Sequence, residues 1–117
     1  MESCQIRFAE RKDVPVILGF IRKLAEYEKL ENEVVATEKL LETWLFDKKK
    51  AEVLLAFEGE KPVGYALFFH NFSTFLGRAG IYLEDLFVLP EMRGKGYGKA
   101  LLSRVARLTV ERECGRL

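Results

Sequence analysis

The run Arg93-Gly94-Lys95-Gly96-Tyr97-Gly98-Lys99 combines three glycines with three cations where an apolar segment gives way to an amphipathic one. Glycines let a backbone lie close to a ligand, and a helix beginning here would present unpaired N–H groups and a partial positive charge. That combination describes an anion site, with phosphate as the natural occupant. Spacing separates it from two other phosphate loops. A GxGxxG pattern from Gly94 would need glycine at Lys99, one from Gly96 would need it at Leu101, and GxxxxGK[ST] occurs nowhere. A tight strand-to-helix connection would use the same residues, so the turn alone supports either reading equally.

Two acids just upstream shift that balance. Glu84 and Asp85 interrupt the apolar run IYLEDLFV at 81–88, and a carboxylate inside an apolar strand is costly unless paired, hydrated or employed. Strand alternation sends the two to opposite faces, so one pocket does not satisfy both. Either each pairs with a buried arginine or a backbone amide, or at least one lines a polar cleft beside the glycine turn. A third acid, Glu28, falls beside Tyr27 on the buried side of a first helix. It sits at the helix end, where carbonyl dipoles disfavour acids and a cation is wanted. Periodicity alone favours the alternative that the helix frays after Ala25 and leaves Glu26 and Glu28 solvated.

The elements that must position these groups follow from periodicity. Residues 4–9 alternate as a short strand with Ile6 and Phe8 inward, and Asp13 reads as the N-cap of a helix over 14–28 with Pro15 in its first turn. Its apolar stripe is Val14, Ile17, Leu18, Ile21, Leu24 and Ala25. Thr37 caps a second helix with Leu40, Leu41, Trp44 and Leu45 on one face, closed by the solvated lysines 48–50. Strands over 52–58 and 62–72 flank the hairpin signature Gly59-Glu60-Lys61, and their near-continuous apolar character calls for cover on both sheet faces. His70, the sole histidine, has no partner motif and reads as structural or surface. After a connection over 73–80 comes the strand 81–88, which Pro90 ends. The helix following the glycine turn places Leu101, Leu102, Val105, Leu108 and Thr109 on one face, with Gly115 as its stop. The chain ends two residues later, where another strand would be expected.

Composition sets the bounds. A chain of 117 residues with 49% hydrophobic residues makes one domain able to bury a core. Its 19 basic and 18 acidic residues leave a net charge of +1, which gives no support to a nucleic-acid or membrane partner. Cys4 and Cys114 lie at opposite ends without metal-ligand spacing, so no metal is expected and reduced cytoplasmic thiols are.

The segment RGKGYG resembles the Q/R-x-x-G-x-G/A motif of the GCN5-related N-acetyltransferases, read as Arg93, Gly96 and Gly98, after a strand ending in an apolar pair and a proline-containing loop. LAEYEKLE at 24–31, together with IYLEDLFVLPEMRGKGYGKAL, resembles the diamine branch of that family, which contains the spermidine/spermine and thialysine acetyltransferases. The likeness runs in order from Ile6 to the chain end, apart from loops around 47–61. It implies a mixed α/β fold, with a mostly antiparallel sheet flanked by helices and truncated after the motif helix. Residues 1–117 would be a single N-acetyltransferase domain, incomplete at its C-terminus. In the family a further strand, helix and strand pair follow and supply a general-acid tyrosine, so the 117 residues are expected to be the N-terminal part of a longer enzyme.

The resemblance also implies roles. Acetyl-CoA would be the co-substrate, with the backbone of Leu86, Phe87 and Val88 bonding its pantetheine arm. Arg93 of the motif and the amides of Gly94, Lys95, Gly96, Tyr97, Gly98 and Lys99 would hold the pyrophosphate. Glu84 would act as base, through a water, on a primary amine that is not nucleophilic until it loses a proton near pH ~10. Tyr27 and Glu28 would line the far end of a polyamine or thialysine-like substrate. Transfer would be direct, since neither cysteine lies in the motif region. A homodimer is expected. The rival readings are an acetyltransferase for another amine, such as a peptide N-terminus or an aminoglycoside, and a non-catalytic CoA-binding or dimerisation module.

Overall fold

The computed structural model describes residues 4–117. Four antiparallel strands, β1 (Cys4–Phe8), β2 (Glu52–Glu58), β3 (Lys61–Ser73) and β4 (Arg78–Val88), form one sheet in chain order. Helix α1 (Val14–Tyr27) covers one face and α3 (Tyr97–Glu111) the other. Phe20 of α1 stacks on Tyr65, whereas Arg112, just past α3, lies over Phe68. Tyr65 and Phe68 are an odd number of residues apart on β3 and so face opposite ways. Four consecutive β2 residues, Val53 to Ala56, are buried, as two-sided cover requires.

Helix α1 starts at Val14 because Pro15 suits the first turn, but Asp13 does not cap it in the expected way. Its carboxylate instead accepts from Arg7 Nη1 at 2.8 Å and from the Glu10 amide at 2.7 Å, tying α1 to β1. The expected stripe is buried or half-buried, and Phe20 joins it. On β1, Ile6 packs against the core, but Phe8 is half-exposed because β1 is the sheet's outer strand.

Thr37 caps α2 (Glu38–Leu41), its side chain accepting from the Leu40 amide at 3.1 Å. The helix then widens into a π-turn over Glu42–Asp47. That change of pitch splits the expected apolar face. Leu41 and Leu45 turn inward, while Leu40 and Trp44 stay exposed. On α3 the pattern holds for Leu101, Val105, Leu108 and Thr109, but Leu102 is exposed.

Gly115 is not the helix stop. Glu113 takes the left-handed conformation (φ 57°), and Gly115 lies so close to Arg78 and Leu76 that a Cβ would meet both near 3 Å. The Gly115 amide donates to Ala79 O, and the Ile81 amide donates to Arg116 O. The outer edge of β4 is therefore covered at its start. Beyond Ile81 no strand among the described residues pairs with it. The connection before β4 is also shorter than expected, residues 74–77, because β3 and β4 extend to meet at Ser73 and Arg78. His70 is a surface residue beside Arg112, which is held bidentately by Glu52. No helix among the described residues is long and apolar enough to cross a membrane.

Candidate active site

The residues after β4 form a short helical turn, Pro90–Met92, and then the glycine run. Gly94 and Gly96 both have positive φ, 82° and 90°, where any other residue is strained. Gly96 caps α3, and the first helical bond runs from the Ala100 amide to Gly96 O at 2.9 Å. The amides of Gly98 and Lys99 precede that bond and have no protein partner among the described residues. They open onto a cleft of about 480 Å³ lined by Tyr27 and Glu28 of α1, Leu86 to Val88 of β4, and Arg93, Gly94, Gly96, Tyr97, Gly98 and Lys99. Eleven of the thirteen residues singled out by sequence thus share one cavity; Glu84 and Lys95 are outside its lining.

Three of these residues behave differently from expectation. Lys95 is drawn 3.8 Å from Glu58, at the end of β2, and the same carboxylate accepts from the buried Tyr97 hydroxyl at 2.6 Å. Arg93 donates from Nε to Val88 O at 3.0 Å, and its guanidinium lies 4.6 Å from the Tyr27 ring centroid. This cation–π contact joins the glycine turn to the end of α1, and the Val88 carbonyl is already occupied. Glu28 is not on a buried face. It is the exposed C-cap residue of α1, followed by Lys29 at φ 60°.

The acids of β4 are rearranged by a bulge. Leu67 faces Asp85 but the next residue, Phe68, faces Leu83, so Glu84 is the extra residue. Bulges re-aim side chains and recur beside active sites. Strict alternation, which put Glu84 and Asp85 on opposite faces, fails at this point. Asp85 pairs with neither an arginine nor a backbone amide; its Oδ2 accepts from the Tyr65 hydroxyl at 2.9 Å. Burial holds the Tyr65 phenol well above its usual range, and the charges of Asp85, Glu28 and Glu84 add to it. Three carboxylates from α1 and β4 therefore act on one hydroxyl of β3. None of the three has an ion-pair partner among the described residues, although cations abound elsewhere on the surface. Tyr65 and Glu58 were not singled out by sequence, and Asp85 was noticed there but given no role. A tyrosine inside the apolar run PVGYALFF was the available signal for the first.

The model of a family described as the acetyltransferase (GNAT) family matches residues 18–117. The chain belongs to that family. GNAT enzymes transfer acetyl to amines with acetyl-CoA as donor, and the chain is an acetyl-CoA-dependent N-acetyltransferase by that membership. Among its GNAT relatives, the thialysine N-epsilon-acetyltransferase of Bos taurus is 40% identical over 126 residues, which cover 100% of this chain and 74% of the relative. The L-ornithine N5-acetyltransferase of Arabidopsis thaliana is 28% identical, covering 97% and 70%. Among solved structures, the ribosomal-protein-alanine N-acetyltransferase of Brucella melitensis superposes with a TM-score of 0.82 over 98% of this chain and 77% of that one. At 23% identity that likeness speaks for the GNAT fold alone.

The cleft fits the donor: unpaired amides at a helix N-terminus suit a pyrophosphate, and the open outer side of β4 offers backbone to an amide-bearing arm. Neither cysteine lines the cleft. Among the described residues no group of acids, cysteines and histidine is placed to hold a metal.

Proposed function

We propose that this acetyltransferase acts on a small amine carrying a second cationic group, of the polyamine or thialysine kind, by direct attack of the free amine on the thioester carbonyl. The observation that carries the reading is a set of three acids without an ion-pair partner among the described residues: Glu28, which lines the cleft, and Glu84 and Asp85 of β4. Asp85 accepts from the Tyr65 hydroxyl, and the charges of all three push that phenol up. Uncompensated carboxylates beside a cleft favour a cationic occupant. Against three acids an acceptor of one charge would leave two unanswered, whereas one of two charges leaves a single acid free to act as base.

In this reading the amides of Gly98 and Lys99 hold the pyrophosphate, with Gly94 and Gly96 allowing its approach, while Leu86 and Phe87 offer backbone to the pantetheine arm. Glu84, freed from the ladder by the bulge, takes a proton from the ammonium through a water. The amine nitrogen then bonds to the acetyl carbon, the C–S bond breaks with its electron pair going to sulfur, and the second proton shed by the nitrogen ends on that sulfur, giving the amide and free CoA thiol. Tyr27 and Glu28 border the far end of the acceptor. The thialysine acetyltransferases among the relatives support this choice of substrate class.

The test is a panel of thialysine, spermidine, an N-terminal peptide and an aminoglycoside, followed by release of free thiol. Turnover with the first two at a KM at least about tenfold below the others is expected, the equivalent of ~1.4 kcal/mol for one added charge contact. Turnover confined to the peptide or the aminoglycoside overturns the reading. Thermal stabilisation by CoA with no turnover on any amine points instead to a binding module.

A further inference from the structure

The hydroxyl of Tyr65 carries a hydrogen bond from the aromatic core to Asp85, one residue before Leu86 of the cleft lining. Its residue is fully buried. The ring is stacked on Phe20 at 5.7 Å with planes 7° apart, and tilted against Phe87 at 6.3 Å. Packing on both neighbours fixes the ring, so its hydroxyl is a rigid donor at a set place. The acceptor is Asp85 Oδ2, at 2.9 Å.

We propose that Tyr65 is a positioning residue for the amine substrate: it fixes Asp85, which receives the substrate's cationic group and leaves Glu84 free for proton removal. The proposal rests on the dicationic reading above and adds a division of labour among its acids. Asp85 is half-buried, orientated by one strong hydrogen bond, and without an ion-pair partner among the described residues. A carboxylate so held keeps its second oxygen available and loses little freedom on meeting an ammonium. Glu84, by contrast, is exposed and sits at the bulge, which suits a group that must approach a proton and withdraw. Tyr65 does not itself supply a proton, because burial and its carboxylate partner both keep the phenol protonated. Nor does packing account for the hydroxyl, since phenylalanine would fill the same stack.

Tyr65→Phe, Asp85→Asn and the double variant separate these roles. KM and calorimetric Kd for thialysine should rise about tenfold in Tyr65→Phe, as expected for one lost hydrogen bond to a charged group. Turnover number and acetyl-CoA KM should stay within about twofold. Asp85→Asn, which leaves the aromatic stack untouched, should reproduce the effect even if Tyr65→Phe folds poorly. The double variant should be no worse than Asp85→Asn, because residues acting as a pair are not additive. A wild type that acetylates thialysine while Tyr65→Phe leaves its KM in place overturns the assignment alone, as do additive losses or a parallel rise in acetyl-CoA KM. A wild type that acetylates neither thialysine nor spermidine overturns the dicationic reading, and the assignment with it.

Discussion

The two halves of the site are built in opposite ways. In the proposed reading the donor half is a contiguous run, residues 93–99, whose chemistry lies in backbone amides and glycine conformations. The acceptor half draws single side chains from the end of α1, the middle of β3 and a bulge in β4. A backbone site is specified by local sequence and tolerates little change of conformation. A side-chain site is specified by packing, and each member can be altered singly without disturbing the others' backbone. The donor is common to the family, whereas named acceptors among the relatives include thialysine and ornithine. The adaptable half is the one that meets the variable partner.

The sharpest test of this contrast is Glu84→Gln. Turnover should fall about tenfold or more, as for loss of a general base, while CoA affinity by calorimetry stays as in the wild type. Unchanged turnover across the pH range would remove Glu84 from the mechanism.

Gly96→Ala should act in the reverse sense, weakening acetyl-CoA binding about tenfold. Space is open around Gly96, so the cost is purely conformational, about 1–2 kcal/mol for a Cβ at φ 90°. Gly98→Ala provides the contrast. Its Cβ would meet only Val88 Cγ2, at an ordinary 3.7 Å, so urea unfolding should show no loss of stability. Any lost CoA affinity in that variant comes from crowding the ligand.

Asp13→Asn tests the seating of α1, the helix that brings Tyr27 and Glu28 to the cleft. The hydrogen bond from Arg7, with the Glu10 amide, holds the Asp13 carboxyl below its usual 3.8. A depressed folded value means that its stabilisation is complete above pH ~4 and is lost as pH falls through that lower value. The variant should be about 1–2 kcal/mol less stable at pH 7, Arg7 being partly exposed, and the gap should close on acidification. Chemical denaturation at several pH values measures it.

Tyr97→Phe should give the smallest effect, a rise of about threefold in acetyl-CoA KM with amine KM unmoved. Its hydroxyl bond to Glu58 ties the glycine turn to the end of β2. An equal shift in both constants would show that the halves are not separately built.

The contrast also explains what could be read from the chain. The strands, α1, α3 and the Gly59-Glu60 hairpin follow from period and turn residues. The errors have physical causes of their own. Leu40 and Trp44 are exposed because a π-turn changes the pitch on which their face was drawn. Glu113 replaces Gly115 as the left-handed stop because Gly115 is needed where the chain crosses close to Arg78. Asp85 was left without a role because its partner lies twenty residues away on another strand.

The sequence by itself determined the glycine turn and the helix that starts from it, because glycines and a helix start act through the backbone of neighbouring residues. Family likeness also pointed to Glu28, which lines the cleft, and to Glu84, which lies outside its lining. Only the tertiary structure decided that Asp85 meets the Tyr65 hydroxyl and that the charges of Glu28 and Glu84 bear on it too. That meeting depends on the β3–β4 register and on one extra residue in β4, and such a bulge reverses the facing of everything on one side of it.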